Sequence, residues 1–269
     1  MPGFEAITPK KGERALILGG TRSGKSCLED MIMRYSMKER PQVRILLLDT
    51  KPRFRTELER FGPGNRLFRA TEQDYSDWEA GPVIPGSIRV NLDSETPLKN
   101  FWRPDDKCRV AVLQTEDSDK RSRLLEIADR DFFEPHIKGA DRMLVCDELL
   151  DLYHRNSLSI SYKHDVPLKV ARAGGERGFS GLFGAQRPKG LPPQITDELS
   201  ILYLFYLRYE SDVKYLWEMG IPREITPPKE KEGDYAFKVI RVRPGGRVIF
   251  QGSYRLKMPD WYMSQLSET

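Results

Sequence analysis

Short apolar runs recur along this chain, each closed by polar, charged or glycine-rich residues. The clearest are Ala15-Leu16-Ile17-Leu18, Val43 to Leu48, Cys108 to Leu113, Arg142 to Cys146, Gly181 to Ala185 and Ile201 to Leu207. Runs this short and this continuously apolar predict strands buried on both faces, which is how parallel sheets are covered. Between them lie segments of helical period. Cys27 to Tyr35 is one, and Phe54, Leu58 and Phe61 mark the face of a second. Ser118 to Phe133 is a third, with Leu124, Leu125, Ile127 and Ala128 in register. Leu149 to Tyr153, Val166 to Arg172 (closed by Gly174-Gly175) and Asp212 to Met219 complete the set. Leu67 to Ala70 and Ser87 to Val90 read as short strands in a region rich in Pro and Gly. Alternation of strand and helix predicts an α/β fold with a mainly parallel sheet and helices on both sides.

The pattern changes near the C-terminus. Pro222 to Glu232 carries three prolines and many charges, and reads as a linker. Beyond it, Tyr235 to Val242 and Arg247 to Gln251 flank Pro244-Gly245-Gly246, a β-hairpin signal. The expected organisation is a core over residues 1–220, with a linker and hairpin appendage packed on it over residues 221–269.

Composition adds limits. With 39% hydrophobic and 31% charged residues, the chain reads as a soluble globular protein with no membrane span and no signal peptide. Cys27, Cys108 and Cys146 are odd in number and lack metal-ligand spacing, so they read as reduced thiols in a cytoplasmic protein. The net charge of +4 does not by itself argue for nucleic acid. Its distribution says more. Arg155, Lys163, Lys169, Arg172, Arg177, Arg187 and Lys189 face only Asp165 and Glu176 in one window, a local net of +5.

The chemistry begins at Gly19-Gly20-Thr21-Arg22-Ser23-Gly24-Lys25-Ser26, followed by Cys27. This matches the P-loop pattern in full, and it sits between a strand and a helix, the context the motif requires. The glycines let successive backbone N–H groups converge on one point, and the helix N-terminus adds a positive dipole end. Lys25 is expected to reach the β- and γ-phosphates of ATP, and Ser26 to hold Mg²⁺. Downstream, the apolar run ending in Asp147-Glu148 supplies two acids with separable tasks. Asp147 would orient the Mg²⁺ shell, and Glu148 would act as base toward water. The second acid predicts hydrolysis, not transfer to a metabolite.

Asp147-Glu148, the basic segment after it, and Gly181-Leu182-Phe183-Gly184-Ala185-Gln186-Arg187-Pro188 resemble the FtsK–HerA superfamily of DNA-pumping ATPases. Ile45 to Lys51, a strand ending in Asp-x-Lys, resembles the family's second strand. The resemblance implies a RecA-like P-loop NTPase fold of the ASCE type. It implies that Gln186 contacts the γ-phosphate or the water, and that a neighbouring subunit inserts an arginine. Arg172 and Arg177 are the candidates for that arginine, with Arg187 third. The size of the chain is most similar to viral genome-packaging ATPases. That likeness implies a homo-oligomeric ring acting on double-stranded DNA in the host cytoplasm, with a capsid portal or vertex protein as a further partner. Conjugation, DNA end processing and filamentous-virus export use similar machines, and a small-molecule kinase or a nucleotide switch are rivals of another class. Asp49 and Lys51 read either as site residues or as a helix cap and a surface charge. The loop Asn156 to His164, with Tyr162 and Lys163, reads either as a DNA-facing pore loop or as plain surface.

Overall fold

The computed structural model describes residues 4–50, 66–69, 87–89, 109–114, 121–133, 141–153, 165–229, 235–243 and 247–257. The predicted helical face of Phe54, Leu58 and Phe61, together with Lys51, Cys108, the loop 156–164 and the turn 244–246, lies outside these residues.

After a short helix α1 (Phe4–Ile7) the chain enters β1 (Arg14–Leu18), then α2 (Lys25–Glu39) and β2 (Val43–Asp49). Two short strands come next, β3 (Arg66–Arg69) and β4 (Ser87–Arg89), and then β5 (Val110–Gln114). Helix α3 (Arg121–Ala128) runs into a π-helical turn, Asp129–Phe133, before β6 (Asp141–Cys146) and α4 (Leu149–Leu152). The second half is α5 (Val166–Arg177), β7 (Phe179–Ala185), α6 (Pro193–Thr196), β8 (Ile201–Leu204) and α7 (Glu210–Glu218). The hairpin β9 (Ala236–Arg243) and β10 (Arg247–Arg255) closes the described chain. The sheet order is β10-β9-β8-β1-β7-β6-β2-β5-β3-β4. Every pairing from β8 to β4 is parallel. This is the α/β architecture of RecA-like P-loop NTPases.

The period of two along the buried strands divides their side chains between two cores. Leu16, Leu18, Leu46, Leu48, Leu144 and Phe183 pack with α3, α4, α5 and α7 on one face. Ala15, Ile17, Ile45, Leu47, Val145 and Leu182 pack with α1 and α2 on the other. Doubly buried strands of this kind explain the uninterrupted apolar runs.

Three expectations need correction. Helix α5 does not close at Gly174-Gly175 but runs to Arg177, and Gly178 ends it at φ 74°. Both glycines serve packing. A Cβ on Gly174 would lie 3.1 Å from the Phe179 carbonyl oxygen, and one on Gly175 would lie 2.6 Å from Arg14 Nη1. The strand expected from Ile201 to Leu207 ends at Leu204, because the following backbone turns to the loop after β1. There Gly20 donates to the Tyr206 carbonyl at 2.9 Å. Strand β10 passes Gln251 and reaches Arg255 through a bulge between Phe250 and Gly252. The hairpin beyond residue 220 continues the central sheet, since β9 pairs antiparallel with β8 and Phe237, Val239 and Ile240 enter the two cores.

Candidate nucleotide site

The C-terminal ends of β1, β7 and β6 converge, and each delivers one part of the site. Beyond β1 the backbone curls through Arg22 at φ 63° and Gly24 at φ 98°, and Lys25 opens helix α2. Left-handed turns of this kind can bring backbone N–H groups to one point, and the helix N-terminus adds a positive dipole end there. Gly19 has no room for a side chain, since its Cβ would meet Phe205 Cβ at 2.5 Å. Lys25 is only 6% exposed. Its Nζ bends back over the loop and donates to the carbonyls of Gly19 at 2.8 Å and Gly20 at 3.3 Å. That places an ammonium at the mouth of the cradle.

The acids arrive from β6. Asp147 and Glu148 are 1% and 4% exposed, directly after Cys146, whose thiol is pushed well up, first by burial and then by Glu29, Asp165 and Asp147. Ser26 Oγ and Asp147 Oδ1 lie 3.4 Å apart. Two hard oxygen donors so placed fit a Mg²⁺ that takes its other ligands from phosphate and water. Among the described residues no group of three His, Cys, Asp or Glu would hold a metal by itself.

Gln186 joins the parts. Its backbone N–H donates to Glu148 Oε1 at 3.2 Å, and Thr21 Oγ1 donates to its side-chain oxygen at 3.4 Å. The loop after β1, the acid after β6 and the amide after β7 therefore form one hydrogen-bonded chain. Arg187 anchors the exit of β7. It makes a bidentate pair with buried Asp212 of α7, with Nε 3.0 Å from Oδ2, and stacks 4.9 Å from the Tyr209 ring centre. The hydrogen bond and charge of Asp212 raise the Arg187 guanidinium pKa. As a finger for another subunit, Arg187 would have to leave this pair.

Of the other basic candidates, Arg177 stands apart from this chain's cradle. Arg172 and Arg177 are exposed on α5, and Arg177 lies just before the start of β7, at the opposite end of the sheet. At ~3.3 Å per residue a strand as long as β7 separates the two ends by roughly 20 Å. Arg177 donates to the Phe133 carbonyl at 3.3 Å and stacks on that ring at 4.5 Å. Lys169, one of the basic window, holds both carboxylate oxygens of buried Asp129 at 2.6 Å. This removes it as a ready phosphate contact. Asp49 is fully buried at the end of β2, and its neighbour Thr50 donates to Asp151 Oδ2 at 3.1 Å.

Sequence reading missed Glu29. It is wholly buried on α2, and a Cβ on Gly184 would lie 2.2 Å from both its Oε1 and the Asp147 carbonyl oxygen. The available signal was its place four residues after Lys25, on the same helix face. Gly184→Ala should therefore displace the Asp147 backbone, cost about 1–3 kcal/mol or more, and lower nucleotide turnover. Urea denaturation and turnover of the variant would check it; wild-type values in both would show that the contact yields freely.

No protein-family model matches the sequence, and no curated protein matches it by sequence. Solved structures do match in fold. The genome packaging NTPase B204 from Sulfolobus turreted icosahedral virus 2, in complex with AMP, is similar with a TM-score of 0.54 at 16% identity. That match covers 89% of this chain and 96% of the other. The same NTPase in complex with AMPPCP gives 0.53 at 15% identity, covering 89% and 97%. B204, the DNA-packaging ATPase from Sulfolobus turreted icosahedral virus, gives 0.52 at 15%, covering 91% and 98%.

Proposed function

We propose that this chain hydrolyses ATP and uses the energy to translocate double-stranded DNA, packaging it into a viral capsid as one subunit of a homo-oligomeric ring. The observation that carries the reading is the chain from Thr21 through Gln186 to Glu148, which joins the phosphate loop to a candidate base. Lys25 would neutralise charge at the β- and γ-phosphates, and Ser26 and Asp147 would hold Mg²⁺, which would screen charge on the transferring group. Glu148 would take a proton from the attacking water, with the Gln186 amide orienting it. A carboxylate aimed at water favours hydrolysis over transfer to a small molecule.

In such a ring Arg172 or Arg177 would be supplied in trans, and Arg177 lies at the opposite end of the sheet from its own chain's cradle. Arg172→Ala or Arg177→Ala should bind ATP yet hydrolyse it poorly, with a loss approaching 10³-fold for a true finger. Mixing such a variant with Lys25→Ala subunits should restore part of the activity at shared interfaces. No recovery at any ratio, with subunit exchange demonstrated, would argue against a finger in trans.

The likeness to packaging NTPases supports DNA as the substrate, and a motor must grip any sequence through phosphates, not bases. Duplex DNA should stimulate ATP turnover whatever its sequence, and stimulation should fade as salt rises. A flat response at low salt would instead favour a nucleotide switch. A capsid portal or vertex protein as docking partner, and the host cytoplasm as the setting, belong to the same proposal. No helix among the described residues is long and apolar enough to cross a membrane.

A further inference from the structure

The C-terminal hairpin carries more positive charge than the whole chain does on balance. Lys238, Arg241, Arg243, Arg247, Arg255 and Lys257 lie between Tyr235 and Lys257 with no acid among them, a local net of +6 against +4 for the chain. Its pairing concentrates that charge. Arg243 and Arg247 are direct cross-strand partners, both exposed, where β9 ends and β10 begins. Like charges directly opposite destabilise a strand pair, so a sheet assembled for stability alone would place an acid or a neutral residue at one of them.

The surroundings do not supply the missing countercharge. Arg241, two residues from Arg243 on the same face, is paired with Glu13 at 2.9 Å. No ion pair joins Arg243 or Arg247 to an acid among the described residues. Arg243 borders a cleft of about 580 Å³ with Lys10, Glu13, Ser200 and Arg241, and Glu13, the one acid among its described lining residues, is already engaged. On the other face Phe250, 47% exposed, lies beneath the Lys238 ammonium at 5.8 Å from its ring centre. Strand β10 is also the sheet's edge, where exposed cations disfavour pairing with other chains. That edge role needs no like-charge pair, and it leaves the charged cleft unexplained.

By contrast, three of the five described basic residues between Arg155 and Leu191 are engaged within the chain. Lys169 holds Asp129, Arg177 holds the Phe133 carbonyl, and Arg187 holds Asp212. We propose that the β9–β10 hairpin, through Arg243 and Arg247 with the neighbouring Lys10, is a docking surface for the phosphate backbone of double-stranded DNA. The countercharge absent among the described residues is then a run of phosphates, spaced closely enough to satisfy adjacent arginines. The surface lies at the N-terminal ends of the parallel strands, since Arg241 pairs with Ile201, away from the nucleotide cradle. It therefore holds DNA independently of the nucleotide state. This rests on the reading that the chain acts on DNA.

The test is binding of a fluorescent duplex of arbitrary sequence to the full chain, by anisotropy over a range of salt. The wild type is compared with Arg243→Gln/Arg247→Gln and with Arg172→Gln/Lys189→Gln. Loss of two phosphate contacts should weaken binding roughly 10-fold or more near 0.1 M salt and flatten the log–log salt slope by about 2. Relief of the like-charge pair should leave thermal stability equal or higher. If the hairpin variant binds as wild type and the other variant loses affinity, DNA is gripped elsewhere; the inference falls while the DNA reading stands. If wild type binds no duplex at low salt, both fall. Binding of poly-glutamate but not duplex, lost in the hairpin variant, would assign the surface to an acidic protein and overturn the nucleic-acid proposal.

Discussion

Lys25→Ala is expected to remove tight ATP binding. The Lys25 ammonium is nearly buried and is held by two carbonyls of the loop that would cradle the phosphates. Those carbonyls fix the ammonium's position without cancelling its charge. Bound phosphate would meet a cation already at the mouth of the cradle, and its loss would remove the one buried ammonium of the loop. Removing one partner of a desolvated charge pair costs about 2–5 kcal/mol. That corresponds to roughly 30-fold to several thousandfold in affinity. Calorimetric titration with ATP and Mg²⁺ measures it directly. Unchanged affinity would mean that nucleotide binds somewhere else.

Glu148→Gln should separate binding from chemistry. The replacement keeps the side chain's size, and its amide oxygen can still accept from the Gln186 N–H that now lies 3.2 Å from the carboxylate. The P-loop and Lys25 are untouched, so ATP affinity should stay within a few-fold of wild type. What disappears is basicity. A positioned general base contributes about 10² to 10⁴ in rate, and turnover should fall by that range. Rapid-quench measurement of product at saturating ATP would check it. Hydrolysis at the wild-type rate would place the base elsewhere and leave the Gln186 contact without a catalytic meaning.

Much of the fold was legible because the strands are short and buried on both faces, so each apolar run marked one strand. The parallel order came from the helices between them. Glycine was the weak signal. Gly174-Gly175 read as a helix end, but their small size serves contact with Phe179 and Arg14 while the helix continues. Only the φ of Gly178 marks the stop, and one-dimensional pattern cannot separate these uses of glycine. At the candidate site, the convergence of Gly19 to Ser26, Asp147, Glu148 and Gln186 was readable because motif and strand end coincide. Glu29 was not, since a buried acid on a helix face becomes visible only when β7 packs against it. Charge counted along the chain misled in the same way. Lys169, Arg177 and Arg187 looked available until their partners, distant in sequence, came beside them.

Hydrolysis by this chain depends on the ends of β1, β6 and β7 forming a single site. A crystal structure with a non-hydrolysable ATP analogue and Mg²⁺ would test this without intermediaries. Phosphates are expected within the curl of Gly19 to Gly24, with Lys25 Nζ turned from the loop carbonyls to the β- and γ-phosphates. Mg²⁺ should lie on Ser26 with Asp147 beside it, and a water between the γ-phosphate, Glu148 and Gln186. A nucleotide bound elsewhere, or a γ-phosphate out of reach of Glu148 and Gln186, would contradict the single site.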